Sequence, residues 1–327
     1  MLRVALLAGG NSGEYDISLK TAINIQNQLA AKQFETFLII VKENRWIYTD
    51  SFEKCFEINK DDFSLTIKEK HITFDVAFIA IHGDPGENGK LQAYFEMLQI
   101  PYTGCDSFCS ALTFNKFFCN IAVAECGVPI ASSLHFFKDD EIDYDAVINH
   151  CGLPCFVKPC NSGSSVGISK AHDLEELKAG IALAFNEDKQ VMIEHFIPGR
   201  ELTCGVATLE GKVTALAVTE IKSKKEFYDF EAKYTPGFLE LVTPAQIHPI
   251  IEKEIKEYSE TIYKKLGCKG VVRIDFILNP LNKAIFLEIN TIPGQTAMSI
   301  IPRQLSYNNI ALPEFYSKLI LDALKKT

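Results

Sequence analysis

The chain has 327 residues, 47% apolar and 23% charged, with 42 acidic against 33 basic side chains and a formal net charge of -9 at neutral pH. That composition supplies a core for each of two or three domains and excludes a largely disordered chain. The acidic balance argues against nucleic acid or an anionic membrane as the main partner, while a small anionic ligand needs only local positive charge. No apolar run approaches the ~18 residues of a membrane span. Residues 1–10 lack the longer apolar stretch of a secretory signal, so cytoplasm is the expected compartment.

In chain order, Leu2 to Ala8 reads as a short strand ended by Gly9-Gly10, and Ser18 to Ala31 as a helix with apolar Leu19, Ile23 and Leu29. Phe37 to Val41 and Phe74 to Ile81 read as further strands. Strand, helix and strand in alternation predict a parallel sheet with helices on its faces, here a first α/β domain over residues 1–104. A second unit, residues 105–196, begins with a helical stretch Cys105 to Cys126, closed by Gly127-Val128-Pro129. It continues with a strand Phe156 to Lys158, a helix Asp173 to Phe185 opened by Asp173 as cap, and a strand Val191 to Phe196. The third unit, residues 197–327, holds strands Leu202 to Thr208 and Thr214 to Ile221, a helix Pro249 to Lys265, a strand pair and a terminal helix Pro313 to Lys326. Lys222 to Tyr234 is charge-dense and aromatic without a clean period. The ten cysteines contain no CxxC pair, although Cys105/Cys109 and Cys151/Cys155 are spaced by four. Free thiols used as small hydrophobes are the expectation.

Chemistry concentrates first in Gly270 to Leu278 and Ala284 to Asn290, two strands joined by residues 279–283. Alternation puts Arg273 and Asp275 on one face, with Ile274 and Phe276 opposite, and puts Glu288 and Asn290 on one face, with Leu287 and Ile289 opposite. A hairpin of this length pairs Asp275 with Glu288 and Arg273 with Asn290. Like charges opposed across strands need neutralising, and oxygen ligands of this kind suit Mg²⁺ or a solvated polar face balanced by Arg273. The turn residues Pro293 and Gly294 follow at the strand end, where ligands gather.

Phe156 to Gly167 (FVKPCNSGSSVG) is a strand carrying Lys158, followed by a small-residue loop. Gly163, Ser164, Ser165 and Gly167 leave backbone N–H groups able to close around phosphate oxygens. No GxxxxGK[ST] occurs, which excludes a Walker-type loop. Taken alone, Lys116 reads as an ordinary surface lysine and His82 as a structural histidine in a tight glycine turn. GGNSGE after the first strand misses GxGxxG, so a nicotinamide oxidoreductase is disfavoured.

Eight stretches stand in order: GGNSGEYDIS (9–18), HGDPGENGKLQ (82–92), IPYTG (100–104), FVKPCNSGSSVGISK (156–170), IEHFIPGRELT (193–203), FYDFEAKY (227–234), RIDF (273–276) and EINTIPGQTAMS (288–299). Together they resemble the D-alanine–D-alanine ligases of the ATP-grasp superfamily over nearly the whole chain; residues 51–72 and 235–245 contribute little. The resemblance implies three domains, an N-terminal parallel-sheet domain and two α+β domains clasping ATP. It implies ATP and Mg²⁺ (or Mn²⁺), two ions, as cofactors, D-alanine as substrate, and a homodimer. Carried onto this sequence, Lys116, Lys158 and the loop with Ser164 and Ser165 would meet ATP phosphates, and Glu194 and Glu201 its adenine and ribose end. Asp275, Glu288 and Asn290 would bind metal. Glu14 would hold the first D-alanine's ammonium. Arg273, the Gly294 N–H and Ser299 would bind the second substrate and the oxyanion, with His82 and Ile300 lining that site. Glu14, Ser164 and Tyr234 would form a triad closing the site, and Lys233 would reach the transferring phosphate from a loop over residues 222–234.

Asn88, where aspartate is usual, the residues Cys160-Asn161-Ser162 and Ile292 depart from the common pattern, and none removes a proposed ligand. Tyr234 favours an amine over a hydroxy acid as nucleophile. The ATP half alone leaves open an ATP-grasp ligase using other amino or hydroxy acids. A nucleotide sensor without catalysis would require a lost phosphate or metal ligand, and none is lost.

Overall fold

The computed structural model describes residues 1–29, 34–50, 52–163, 165–223 and 239–325. Ser164, Lys233 and Tyr234, with most of the aromatic loop, lie outside the described residues.

The first sheet is built around strand Leu2–Gly9, fully buried from Val4 onward, which pairs in parallel with Phe34–Lys42 on one side and Val76–Ile79 on the other. The parallel core predicted from strand–helix–strand alternation is therefore present, but it is three of the sheet's seven strands. Four short strands, Arg45–Thr49, Cys55–Asn59, Ser64–Ile67 and Lys70–Ile72, extend it as an antiparallel meander. Trp46 of these strands packs in an aromatic cluster with Phe63 and Phe74 of the connecting segments and Tyr94 and Phe95 of helix Lys90–Met97, with ring centroids 4.9–6.2 Å apart among the contacting pairs.

The first helix spans Tyr15–Leu29, starting three residues earlier than periodicity suggested. The cause is Ser18, which is buried inside the helix. Its hydroxyl accepts from the Gly9 N–H (2.9 Å) and donates to the Ala80 carbonyl (2.8 Å), tying the helix to two strand ends. The stretch Cys105 to Cys126 is two helices, not one: Ser107–Phe114 and Lys116–Ala124. Asn115 separates them with extended backbone and caps the second through the Phe118 N–H (3.1 Å).

The second sheet, ordered Ser169–Ala171, Cys155–Pro159, Gln190–His195, Ser133–Phe137, is antiparallel. Helix Leu174–Glu187 covers it, capped by Asp173 as expected. The third sheet has five antiparallel strands, with Val271–Leu278 between Arg200–Leu209 and Ala284–Asn290. Helix Pro249–Lys265, as read from the sequence, packs on it through Ile255, Ile262 and Tyr263.

Helices Ile300–Tyr307 and Leu312–Leu324 return the chain to its start. Phe315, Tyr316 and Ile320 share one core with Val4, Leu6, Ala22 and Phe78, and with Leu216 and Val271 of the third sheet. First and third sheets are therefore locked by a common apolar layer. Among the described residues, no helix is long and apolar enough to cross a membrane.

Candidate active site

The hairpin pairs as the sequence predicts: Asp275 opposite Glu288 and Arg273 opposite Asn290. The register shifts below that point, because Phe276 faces Phe286. The extra residue is Leu287, a bulge. Phe286 and Ile289 are buried in the apolar core and border the cleft, whereas Leu287 is only half-buried and lines the cleft beside Glu288. Leu287 was expected on the opposite face with Ile289. Strict alternation fails there because the bulge inserts a residue.

Asp275 is 2% exposed and fully engaged. It takes two bonds from Arg273 (Nε–Oδ1 2.9 Å, Nη2–Oδ2 2.6 Å), one from the Thr203 hydroxyl (2.5 Å) and one from Asn290 Nδ2 (3.3 Å). The bonds fix the direction of the guanidinium. Arg273, Glu288 and Asn290 face open space; Asp275 stands behind them.

Two cavities meet at this hairpin. One, about 370 Å³, is lined by Glu14, His82, Glu87, Arg273, Asn290, Gly294, Ser299 and Ile300 among others. The other, about 430 Å³, lies between the second and third sheets and is lined by Lys158, Glu194, Glu201, Glu220 and Lys222 among others. Lys116, Ser165, Leu287 and Glu288 belong to both linings, so one wall serves the two spaces.

Lys158 projects from strand Cys155–Pro159 beside Glu194 of the neighbouring strand, and the two form a buried ion pair. Asn120 Nδ2 adds a 3.1 Å bond to Glu194. Lys116 is no surface lysine. It opens helix Lys116–Ala124, donates to the Ser162 carbonyl at 2.7 Å and stands 3.9 Å from Glu288. Arg200 and Glu220, an ion pair bonded at 2.7 and 2.8 Å, also line the larger cavity and were not singled out in the sequence.

In the smaller cavity the loops after the first and seventh strands interlock. Ser12 Oγ donates to the His82 carbonyl (2.8 Å) and accepts from the Glu14 N–H (3.2 Å). His82 is 5% exposed, with Nδ1 2.8 Å from the Ile292 carbonyl and Nε2 3.2 Å from Thr21 Oγ1. Burial, with help from Arg273, holds its imidazole below the usual value and so neutral at pH 7. Glu87, absent from the sequence-based set, joins it. Burial and the nearby Glu14 carboxylate push its carboxyl up to about 7. Its Oε2 accepts from the Gly83 N–H (3.1 Å). In the sequence it is one more polar residue in a glycine turn, and only the tertiary fold buries it. Past the hairpin, Ser299 Oγ accepts from the Thr296 N–H (3.0 Å), and a side-chain carbon at Gly294 would come within 3.0 Å of that hydroxyl. A side chain at Gly294 would therefore crowd Ser299.

Two sheets closing on a cavity with buried lysines, and a carboxylate hairpin on its wall, define the class: an ATP-grasp ligase. Family profiles described as "D-ala D-ala ligase N-terminus" and "D-ala D-ala ligase C-terminus" match residues 3–105 and 122–321. The chain belongs to the D-alanine–D-alanine ligase family. It is 41% identical over 321 residues to the D-alanine–D-alanine ligase of Azobacteroides pseudotrichonymphae, covering 98% of this chain and 99% of that one. It is also 41% identical, over 324 residues, to that of Parabacteroides distasonis, covering 98% and 97%. The D-alanyl-alanine synthetase A structure from Vibrio cholerae superposes with a TM-score of 0.89 at 27% identity, covering 99% of each chain. The VanG D-Ala:D-Ser ligase structure from Enterococcus faecalis does so at 0.86 and 32%, covering 98% of each.

Proposed function

We propose that this ATP-dependent ligase joins two D-alanines through a D-alanyl phosphate, giving D-alanyl-D-alanine for peptidoglycan precursors of the cell wall. The observation that carries the reading is the shared wall of Lys116, Ser165, Leu287 and Glu288 between two cavities. Phosphoryl transfer between a nucleotide in one space and a carboxylate in the other has to cross such a wall.

The larger cavity takes ATP, with Lys158 and Lys116 toward its phosphates, the loop with Ser164 and Ser165 over them, and Glu194 and Glu201 at the nucleoside end. The smaller cavity takes the amino acids. Glu14 meets the first ammonium; neutral His82 and Ile300 line the space. A carboxylate oxygen of the first D-alanine attacks the γ-phosphorus and ADP leaves. The amine of the second D-alanine attacks the acyl carbonyl, and Arg273 and the Gly294 N–H donate to the resulting oxyanion before phosphate departs. Ser299 holds the second carboxylate. Lys233 reaches the transferring phosphoryl group, and Tyr234, Ser164 and Glu14 shut the site so that water does not hydrolyse the acyl phosphate.

Asp275, Glu288 and Asn290 are a hard-oxygen donor set that fits Mg²⁺, or Mn²⁺ in its place. Asp275 is bonded to Arg273 and Thr203, Asn290 stands 3.3 Å from it, and Glu288 is its cross-strand partner. Two ions bound there would neutralise phosphate charge. The division into residues 1–104, 105–196 and 197–327, a cytoplasmic location and a homodimer complete the reading.

The test is phosphate release with ATP, Mg²⁺ and D-alanine, with mass identification of the product. Lys158→Ala and Glu288→Ala should each reduce dipeptide formation at least a hundredfold; near-normal rates would overturn the assignment. Likeness to a D-Ala:D-Ser ligase structure favours a second reading, D-serine as second substrate. Competition between D-alanine and D-serine, read by product mass, separates the two.

A further inference from the structure

We propose that Cys105, Cys109 and Cys268 form a thiolate site for a thiophilic divalent cation, of which zinc is the natural case, clamping the exit of the first sheet to the strand that carries Arg273. This proposal does not rest on the ligase reading. The three Sγ atoms all lie within 4.8 Å of one another, and Cys109 Sγ is 3.7 Å from Cys268 Sγ. On a tetrahedral ion with Zn–S bonds of ~2.3 Å, two thiolates stand about 3.8 Å apart. Cys105 and Cys109 are some 160 residues from Cys268 (159 for the Cys109 contact) and meet it only through the fold.

The sulfurs meet backbone groups of both kinds: the Cys105 thiol donates to the Lys269 carbonyl (3.6 Å), while two features favour thiolate. Asp106 caps helix Ser107–Phe114 by accepting from the Cys109 N–H (3.0 Å), which places Cys109 in the first helical turn. Thiolates are favoured at that end of a helix. The Lys269 N–H points at Cys105 Sγ (3.4 Å), and the Lys269 ammonium is 3.1 Å from Asp106. Binding releases three thiol protons and leaves the ion with three thiolates at a net charge of -1. Among the described residues the group holds no fourth His, Cys, Asp or Glu. The fourth position falls to water beside Cys268, at 6% the most exposed of the three.

Packing alone does not call for this convergence. The same core contains Cys119 and Cys204, equally buried, and they stay outside the group. Cys151 and Cys155 repeat the spacing of four without gathering a third sulfur. The location also matters: residues 104 and 270 touch, a side-chain carbon at Gly270 lying 2.9 Å from the Gly104 Cα. An ion at the three sulfurs fixes that crossing just before strand Val271–Leu278.

The full-length protein, reduced and stripped with a chelator, is titrated with Zn²⁺ and with Cd²⁺. The expected result is one ion per chain with about three protons released, a cadmium–thiolate charge-transfer band and a raised Tm. Cys109→Ser and Cys268→Ser should each weaken binding at least tenfold, while Cys119→Ser binds as the wild type. The charge-transfer band separates this site from any carboxylate site. If either variant fails to fold, pulsed alkylation of the wild type in sub-denaturing urea, where buried thiols become reachable, followed by mass spectrometry replaces it: metal should protect Cys105, Cys109 and Cys268 more than the equally buried Cys119 and Cys204, and leave Cys55 reactive. Absence of a charge-transfer band, or equal alkylation of the three with and without metal, overturns the proposal.

Discussion

Lys158 and Glu194 show what a single buried pair contributes. Both are almost without solvent contact, at 7% and 3% exposure. Removing one partner of such a pair leaves an uncompensated charge, at roughly 3–5 kcal/mol. Lys158→Met is therefore expected to lower unfolding free energy by about that amount, and Lys158→Met/Glu194→Met to regain most of it without regaining activity; urea unfolding of the three proteins checks this. Glu87 makes a pH prediction. A carboxyl raised from 4.5 to about 7 in the folded state carries a cost absent below about pH 4.5 and complete above about pH 7. Stability of the wild type relative to Glu87→Gln should therefore fall as pH rises through that window. A Tm difference that stays flat from pH 4.5 to 8 would show that Glu87 titrates normally. Lys158 and Arg273 were readable because each stands in a strand of recognisable chemistry, whereas Lys116 and Glu194 entered only through the family resemblance. Glu87 was not readable, since its character comes from being buried next to Glu14.

At the level of elements, pairing of the carboxylate hairpin could be derived from strand length and alternation, and Asp275 does face Glu288. The bulge at Leu287 could not, because an extra residue leaves no mark in an apolar run that reads equally well in either phase. Asn115 is a similar case. Cys105 to Cys126 has continuous apolar character, and at the break Asn115 reaches Asn161 (3.0 Å), in the turn after strand Cys155–Pro159, and Gln190 (3.1 Å) of the second sheet. Asn115→Ala removes the cap and those two bonds. It should cost about 1–2 kcal/mol and raise the KM for ATP several-fold, since Lys116 is the residue the cap orients. An unchanged KM with reduced Tm would mean that Lys116 is placed by its bond to Ser162 instead.

Across the whole molecule, strand–helix–strand alternation disclosed the parallel core of the first sheet, while strands of three to five residues with mixed burial hid the antiparallel half. The common layer joining first and third sheets was equally hidden, because it unites Val4 with Tyr316. Gly270 sits where these parts cross, with φ +68° and no room for a side-chain carbon against Gly104. Gly270→Ala should destabilise by more than 1 kcal/mol and depress ligation together with it, measured by thermal unfolding and phosphate release. The wall common to the two cavities has a consequence for the order of events. Lys116 and Glu288 face both spaces, so a ligand that repositions them in one alters the affinity of the other. Thermodynamic linkage then requires symmetry: whatever factor D-alanine contributes to nucleotide affinity, nucleotide contributes to D-alanine affinity. Calorimetric titration of each ligand with and without the other should return a single coupling free energy, and Glu288→Gln should shrink it from both directions alike.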